Sequence, residues 1–247
     1  MILPTPSEIQ AKLALDVPSH VSPSPSLRTP PPPVHPALQY GVASSTASPP
    51  GYQATRKPLS SITYTFWPQT TPPNSMVLAP PLDLDNPRPS YCISVNLNCF
   101  TPTSHVTTIR RGSWEGEFVG DFEIGLSNSK KPNTLCIRGN EHHLSDILKS
   151  GYQPFRNTWT WRISDHDKPI SLFWDDSAAG GVLTCFSSKD KTTANVVARF
   201  IPPAHLRRHG RPAEMNRLEV SPQGHDYFDD ILLCALILER IRTTPSL

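Results

Sequence analysis

From residue 60 onward apolar and polar positions alternate. In SITYTF, Ile62, Tyr64 and Phe66 are separated by small polar residues, the period of a strand with one buried face. Tyr91, Ile93, Val95 and Leu97 repeat the pattern, as do Leu135 and Ile137 and then Trp159, Trp161 and Ile163. Met76 to Leu78, HVTTIRR (105–111), EGEFVGDFEIG (115–125), PISLFWDD (169–176), GVLTCFS (181–187), NVVARFI (195–201) and AEMNRLEVS (213–221) supply further strands, punctuated by Pro, Gly, Asn and Ser. HVTTIRR and EGEFVGDFEIG are expected to pair as a hairpin around Gly112-Ser113. Phe118, Phe122 and Ile124 are expected to share a face there, with a local irregularity near Gly120. HHLSDILKSG (142–151) reads equally as a short helix or as a further strand.

After Gly224 the pattern changes. Ile231 to Leu238 form an unbroken apolar run, with Asp226, Asp229 and Asp230 before it and Arg240 and Arg242 after it. Those charges match the partial charges at the two ends of a helix. A helix apolar on every side needs a wall on every side. The run falls far short of the roughly 18 apolar residues that cross a bilayer, so the wall is expected to be the chain's own strands. Ten or so short strands followed by one buried helix point to a mainly β fold, an antiparallel barrel or a strongly curled sheet.

Composition separates this domain from what precedes it. Of 29 prolines, thirteen lie in residues 1–59, a Pro/Ser/Thr-rich stretch with few large apolar side chains. Such a stretch buries too little surface to offset the entropy of ordering, so residues 1–59 are expected to be a disordered arm and 60–243 a single domain. Within the arm, Pro49, Pro50 and Tyr52 make a PPxY string of the type bound by WW domains, a route to a protein partner; the plain alternative is a solvated tail. Formal net charge is +2, which does not suggest a general nucleic-acid binder. Five cysteines without a C-x-x-C pair favour reduced thiols and an intracellular, cytoplasmic setting. The first residues lack the basic-then-apolar build of a secretory signal.

The order of segments resembles a family of uncharacterised fungal domains with a tubby C-terminal-like fold, related in shape to LURP-one and scramblase domains. The residues that carry the resemblance are ITYTF (62–66), TTIRR (107–111) after YCISV, W-x-W (159–161), FWDD (173–176), ARF (198–200) and the closing LEVSPQGHDYFDDILLCALILERIR (218–242). The resemblance implies a closed barrel of about twelve antiparallel strands around the C-terminal helix, and no established activity. Tubby-like relatives bind phosphoinositides through basic side chains on the outer face; no lipid site is carried over from them to this chain. Scramblase-like features are missing too, since the chain has no cysteine cluster and no EF-hand loop.

Candidate chemistry is sparse. Arg207, Arg208, His209 and Arg211 form the densest basic cluster, and with Arg110 and Arg111 (and Lys130 and Lys131) they are candidates to meet an anionic lipid headgroup. The competing reading is a solvated loop. Glu141-His142-His143 and Asp165-His166-Asp167 lack the i, i+4 histidine spacing of a zinc-binding helix, and neighbours on a strand face opposite ways, so no metal site is expected. Asp229-Asp230 suit the first turn of a helix, and Asp175-Asp176 a strand end. Neither a G-x-S-x-G nucleophile motif nor a phosphate-binding glycine loop occurs, and no cofactor is implied. The expectation is a non-catalytic binding or scaffold module. The runner-up is a peripheral membrane module for anionic lipid, with a hydrolytic enzyme third.

Overall fold

The computed structural model describes residues 57–84, 88–101, 103–125, 132–153, 156–164, 169–176, 179–203 and 214–244. Thirteen strands and two α-helices follow in the order β1 (Ile62–Gln69), β2 (Ser75–Ala79), β3 (Tyr91–Leu97), β4 (Ser104–Arg111), β5 (Glu117–Gly125), β6 (Thr134–Ile137), β7 (Asn140–His143), α1 (Leu144–Ile147), β8 (Leu148–Gln153), β9 (Arg156–Ser164), β10 (Pro169–Asp175), β11 (Leu183–Phe186), β12 (Val196–Ile201), β13 (Arg217–Val220) and α2 (Phe228–Thr243). All strands belong to one antiparallel sheet of order β7-β6-β5-β4-β3-β2-β1-β13-β12-β11-β10-β9-β8.

Alternation decides which side faces inward. Ile62, Tyr64 and Phe66 are buried, as are Ile93, Ile109, Leu135, Ile137, Trp161, Ile163, Leu172, Trp174, Leu183, Phe200, Leu218 and Val220. Along α2, Ile231, Leu232, Leu233, Cys234 and Ala235 are each 0% exposed. Five consecutive residues at 100° each point in every direction around a helix, so α2 is covered on all sides. Its contacts come from strands far apart in the sheet. Phe228 meets Tyr64 of β1 and Tyr91 of β3. Asp230 is reached by Trp161 of β9, and Arg240 donates to His105 of β4. The sheet is therefore rolled around the helix.

At Gly120 of β5 the helix presses closest to its wall. A Cβ there would lie 2.6 Å from the Cys136 carbonyl oxygen and 3.1 Å from Leu233 Cδ1. One residue earlier the hairpin register shifts, with Ile109 opposite Gly120 but Arg110 opposite Phe118. The irregularity expected near Gly120 is present, but its outcome differs. The extra residue, Val119, turns inward, and Phe118 is left outside at 38% exposure.

Two further expectations are corrected. Residues 142–151 are neither one helix nor one strand: β7 ends, α1 makes a single turn and β8 begins. The barrel is not closed by hydrogen bonds, because β7 and β8, the two edges of the sheet, do not pair among the described residues. They are consecutive in the chain and joined by the four residues of α1. Alongside this seam lies a cavity of about 290 Å³ lined by Ile137, Arg138, Glu141, His142, Ile163 and Ser164. No helix among the described residues is long and apolar enough to cross a membrane.

Deleting residues 224–247 is expected to abolish cooperative thermal unfolding, because every inward side chain loses its partner at once; a sharp transition near the full-length midpoint would contradict the burial of α2. Gly120→Val is expected to cost about 1–3 kcal/mol in urea unfolding, the usual range for overpacking.

Candidate functional site

The first turn of α2 carries Asp229 and Asp230, and each is taken by groups from distant strands. Asp230, with no exposed side-chain surface, accepts from Trp161 Nε1 at 3.0 Å and forms a short ion pair with Arg138. Asp229 accepts from Arg111 at 2.6 Å and from the Tyr91 hydroxyl at 3.3 Å. Arg111 also bonds Glu117 at 2.6 Å and stands over the Tyr91 ring, 5.8 Å from its centroid. Strand alternation explains the choice: Tyr91 and Arg111 are register partners on the inner face, while Arg110 points outward over Phe118 and donates to the Gly116 carbonyl at 3.0 Å.

Above this turn opens a cavity of about 340 Å³, lined by Arg88, Arg111 and Arg138, by Asp226, Asp229 and Asp230, and by Tyr64, Tyr91, Tyr227, His225, Phe228 and Pro89. His225 is held on both nitrogens. A carbonyl oxygen can only accept, so Nδ1 donates to Ser221 at 2.8 Å and Nε2 accepts the Tyr64 hydroxyl at 3.2 Å. Asp226 at the rim pairs with Lys57 at 2.5 Å.

Burial sets the protonation of these groups. It pushes the Tyr64 hydroxyl up to about 12, against the pull of Arg88. The Tyr91 hydroxyl rises further, by burial and then by the negative charge of Asp229. Burial lowers His225 below its ordinary value, opposed by its bond to Ser221. Burial works against the charge of Arg111, yet Asp229 and Tyr91 together raise it. Burial also raises the Asp230 carboxyl, in opposition to Trp161 and Arg138.

The residues singled out from sequence are not all brought together. Arg111 lies in the cavity and Arg110 outside it. Arg207, Arg208, His209 and Arg211 fall outside the described residues, as do Lys130 and Lys131, Asp165-His166-Asp167, and Pro49, Pro50 and Tyr52. β12 and β13, which flank residues 204–213 in sequence, end their pairing at Ile201–Arg217, with Arg217 opposite Thr65 of β1. His142 borders the seam cavity and His143 is exposed. Asp175 is buried and held by Lys191 at 2.7 Å, and Asp176 accepts from the Asn157 backbone at 2.9 Å. Sequence reasoning missed Arg88, Arg138, Tyr64, Tyr91 and His225 as one constellation. Strand alternation, which separates Arg110 from Arg111, is the signal that places Tyr91 beside Arg111.

Because Asp230 is fully enclosed while the Arg138 side chain is 34% exposed, the pair is asymmetric. Arg138→Ala strands a buried carboxylate and is expected to cost about 3–5 kcal/mol, with Asp230→Asn costing less; equal losses in urea unfolding would refute this. For His225 the folded pKa lies below the unfolded 6.5, so unfolding takes up a proton as pH drops past that value. The His225 contribution is thus present above 6.5 and is lost as pH falls toward the folded value. Stability measured at pH 7.5 and 5.5 is expected to fall more for the wild type than for His225→Gln.

No curated protein and no solved structure matches the chain. Residues 74–244, from the turn before β2 to the end of α2, match a family of unknown function (DUF6593). That span takes in every strand of the sheet except β1, the enclosed helix and most of the cavity lining, and the chain belongs to this family.

Proposed function

We propose that residues 60–243 form a non-catalytic binding module whose ligand seats in the cavity at the N-terminal end of α2. The observation that carries this reading is the fixed protonation of the lining. A general acid or base works best with a pKa near the operating pH. Here Tyr64 and Tyr91 are held as hydroxyls and Arg111 as a cation, while His225 is neutral with both nitrogens engaged. Groups so fixed recognise a ligand better than they move its protons. A volume of about 340 Å³ suits a small molecule or the tip of a larger one.

The same reading takes the domain as a tubby C-terminal-like barrel, supported by one antiparallel sheet rolled around an apolar C-terminal helix, and extends the resemblance to an intracellular, fungal origin. It takes the Pro49-Pro50-Gly51-Tyr52 string as a contact for a protein partner. A second reading, a peripheral module for anionic lipid, is favoured by the exposed Trp67, Leu97 and Phe100 near the C-terminal ends of β1 and β3.

A small-molecule thermal-shift screen on the full chain tests the first reading. A ligand at 100 times its Kd stabilises by about 2.7 kcal/mol, an easily read shift in Tm. At least one compound is expected to stabilise the wild type but not Arg88→Ala, and to be recovered chemically unchanged by mass spectrometry. Recovery of an altered compound, or hits indifferent to the substitution, would overturn the reading.

A further inference from the structure

We propose that the mouth of the rolled sheet at the C-terminal end of α2 holds a monocarboxylate with an apolar chain, its acid on the guanidinium of Arg240. This seat lies at the other end of the helix from the cavity discussed above and does not depend on it. The inward faces of the strands run on past the apolar part of α2. Phe66, Ile93 and Ile109 are buried in the core, and further along the same faces come Pro68, Val95, Leu97 and His105. The helix is by then polar: Leu238 is its last buried side chain, and Glu239 and Arg240 follow. Pro68 and Leu97 are consequently exposed, and Met76 and Val95 half-buried. With His105 and Arg240 they line a cavity of about 510 Å³.

Charge selects the acid. This cavity is lined by one cation and no carboxylate. Three other cavities carry both signs: three arginines with three aspartates at the N-terminal end of α2, Arg138 with Glu141 at the seam, and Arg199 with Glu219 on β12 and β13. Among the described residues no carboxylate pairs with Arg240, whose side chain makes one hydrogen bond, from Nη2 to His105 Nδ1 at 3.4 Å. A guanidinium has five N–H donors, so a fork remains for the two oxygens of a carboxylate. Glu239, the adjacent acid, is met by Arg242 at 3.9 Å, and Arg242 donates to the Gly181 carbonyl at 2.8 Å. The last turn of a helix carries partial negative charge, which opposes an anion. Here the Glu239 carbonyl accepts from Thr243 Oγ1 at 2.7 Å, and the Arg240 carbonyl from the Thr244 amide at 3.0 Å and hydroxyl at 2.7 Å, so that charge is met locally.

Shape selects the body. Along β3 the inward side chains deepen from Leu97, 56% exposed, through half-buried Val95 to Ile93 at 1%. The apolar wall thus leads inward, and an alkyl chain can follow it where the surface of a bilayer cannot.

The test is NMR titration of the full chain with octanoate, octanol, octylamine and acetate, each monomeric in solution. Octanoate is expected to shift resonances of Met76, Leu97 and His105 saturably and to leave Tyr91 unmoved. Octanol, which lacks the charge, and acetate, which lacks the chain, are expected to be roughly tenfold weaker or more. Octylamine is expected not to bind. Arg240→Gln removes the charge and is expected to weaken octanoate about fivefold or more. Leu97→Asp, at an exposed position, places a negative charge in the mouth and is the second variant, with the same loss expected. Octanol as tight as octanoate would overturn the acid, and acetate as tight would overturn the apolar wall. Shifts confined to the Tyr91 end of α2, or none, would overturn the proposal outright. Flotation with phosphatidylserine vesicles by a chain indifferent to octanoate would assign the mouth to a membrane surface and overturn it as well.

Discussion

One enclosed carboxylate holds the two margins of the sheet to the helix. Asp230 accepts from Trp161, on the strand next to one edge, and from Arg138, in the turn beside the other. A flat sheet of thirteen strands could not bring those two groups to one atom pair, so this contact requires the roll. Backbone hydrogen bonds do not link β7 to β8 among the described residues, and the side-chain clamp on α2 spans the margins instead. Burying an unpaired carboxylate costs several kcal/mol, so the clamp is strong mainly in what its loss would expose.

The apolar helix and the clamp depend on each other. Five successive α2 residues with no solvent exposure demand a wall on every side, and only a rolled sheet supplies one. Rolling in turn requires the wall to tolerate a close helix, which Gly120 permits and the bulge at Val119 adjusts. Edge strands are exposed to unwanted pairing. Here they are short at β7 and folded back through α1, so the open margin stays brief.

Much of this was legible in the sequence because it is local. Alternation in Ile62, Tyr64 and Phe66, or in Trp159, Trp161 and Ile163, needs only a few neighbours to be read, and each set is buried as expected. The apolar run of α2 announces its own burial. Segment 142–151 was not legible, because a four-residue strand, one helical turn and another strand each end before any period repeats. Asp229 and Asp230 were readable as helix-end charges but not as clamps, since Trp161 and Arg138 lie 69 and 92 residues away. Phe118 failed for a subtler reason: one bulged residue reverses every side chain beyond it.

The site carries a tension between stability and recognition. Asp230 needs a cation. The chain supplies it from Arg138, a place where the backbone is strained and glycine or asparagine would relax it. Moving the cation elsewhere would keep the clamp and remove the strain, but it would also take the guanidinium from the wall between the two cavities. The positive φ at Arg138 thus accompanies a guanidinium that both holds Asp230 and borders two cavities.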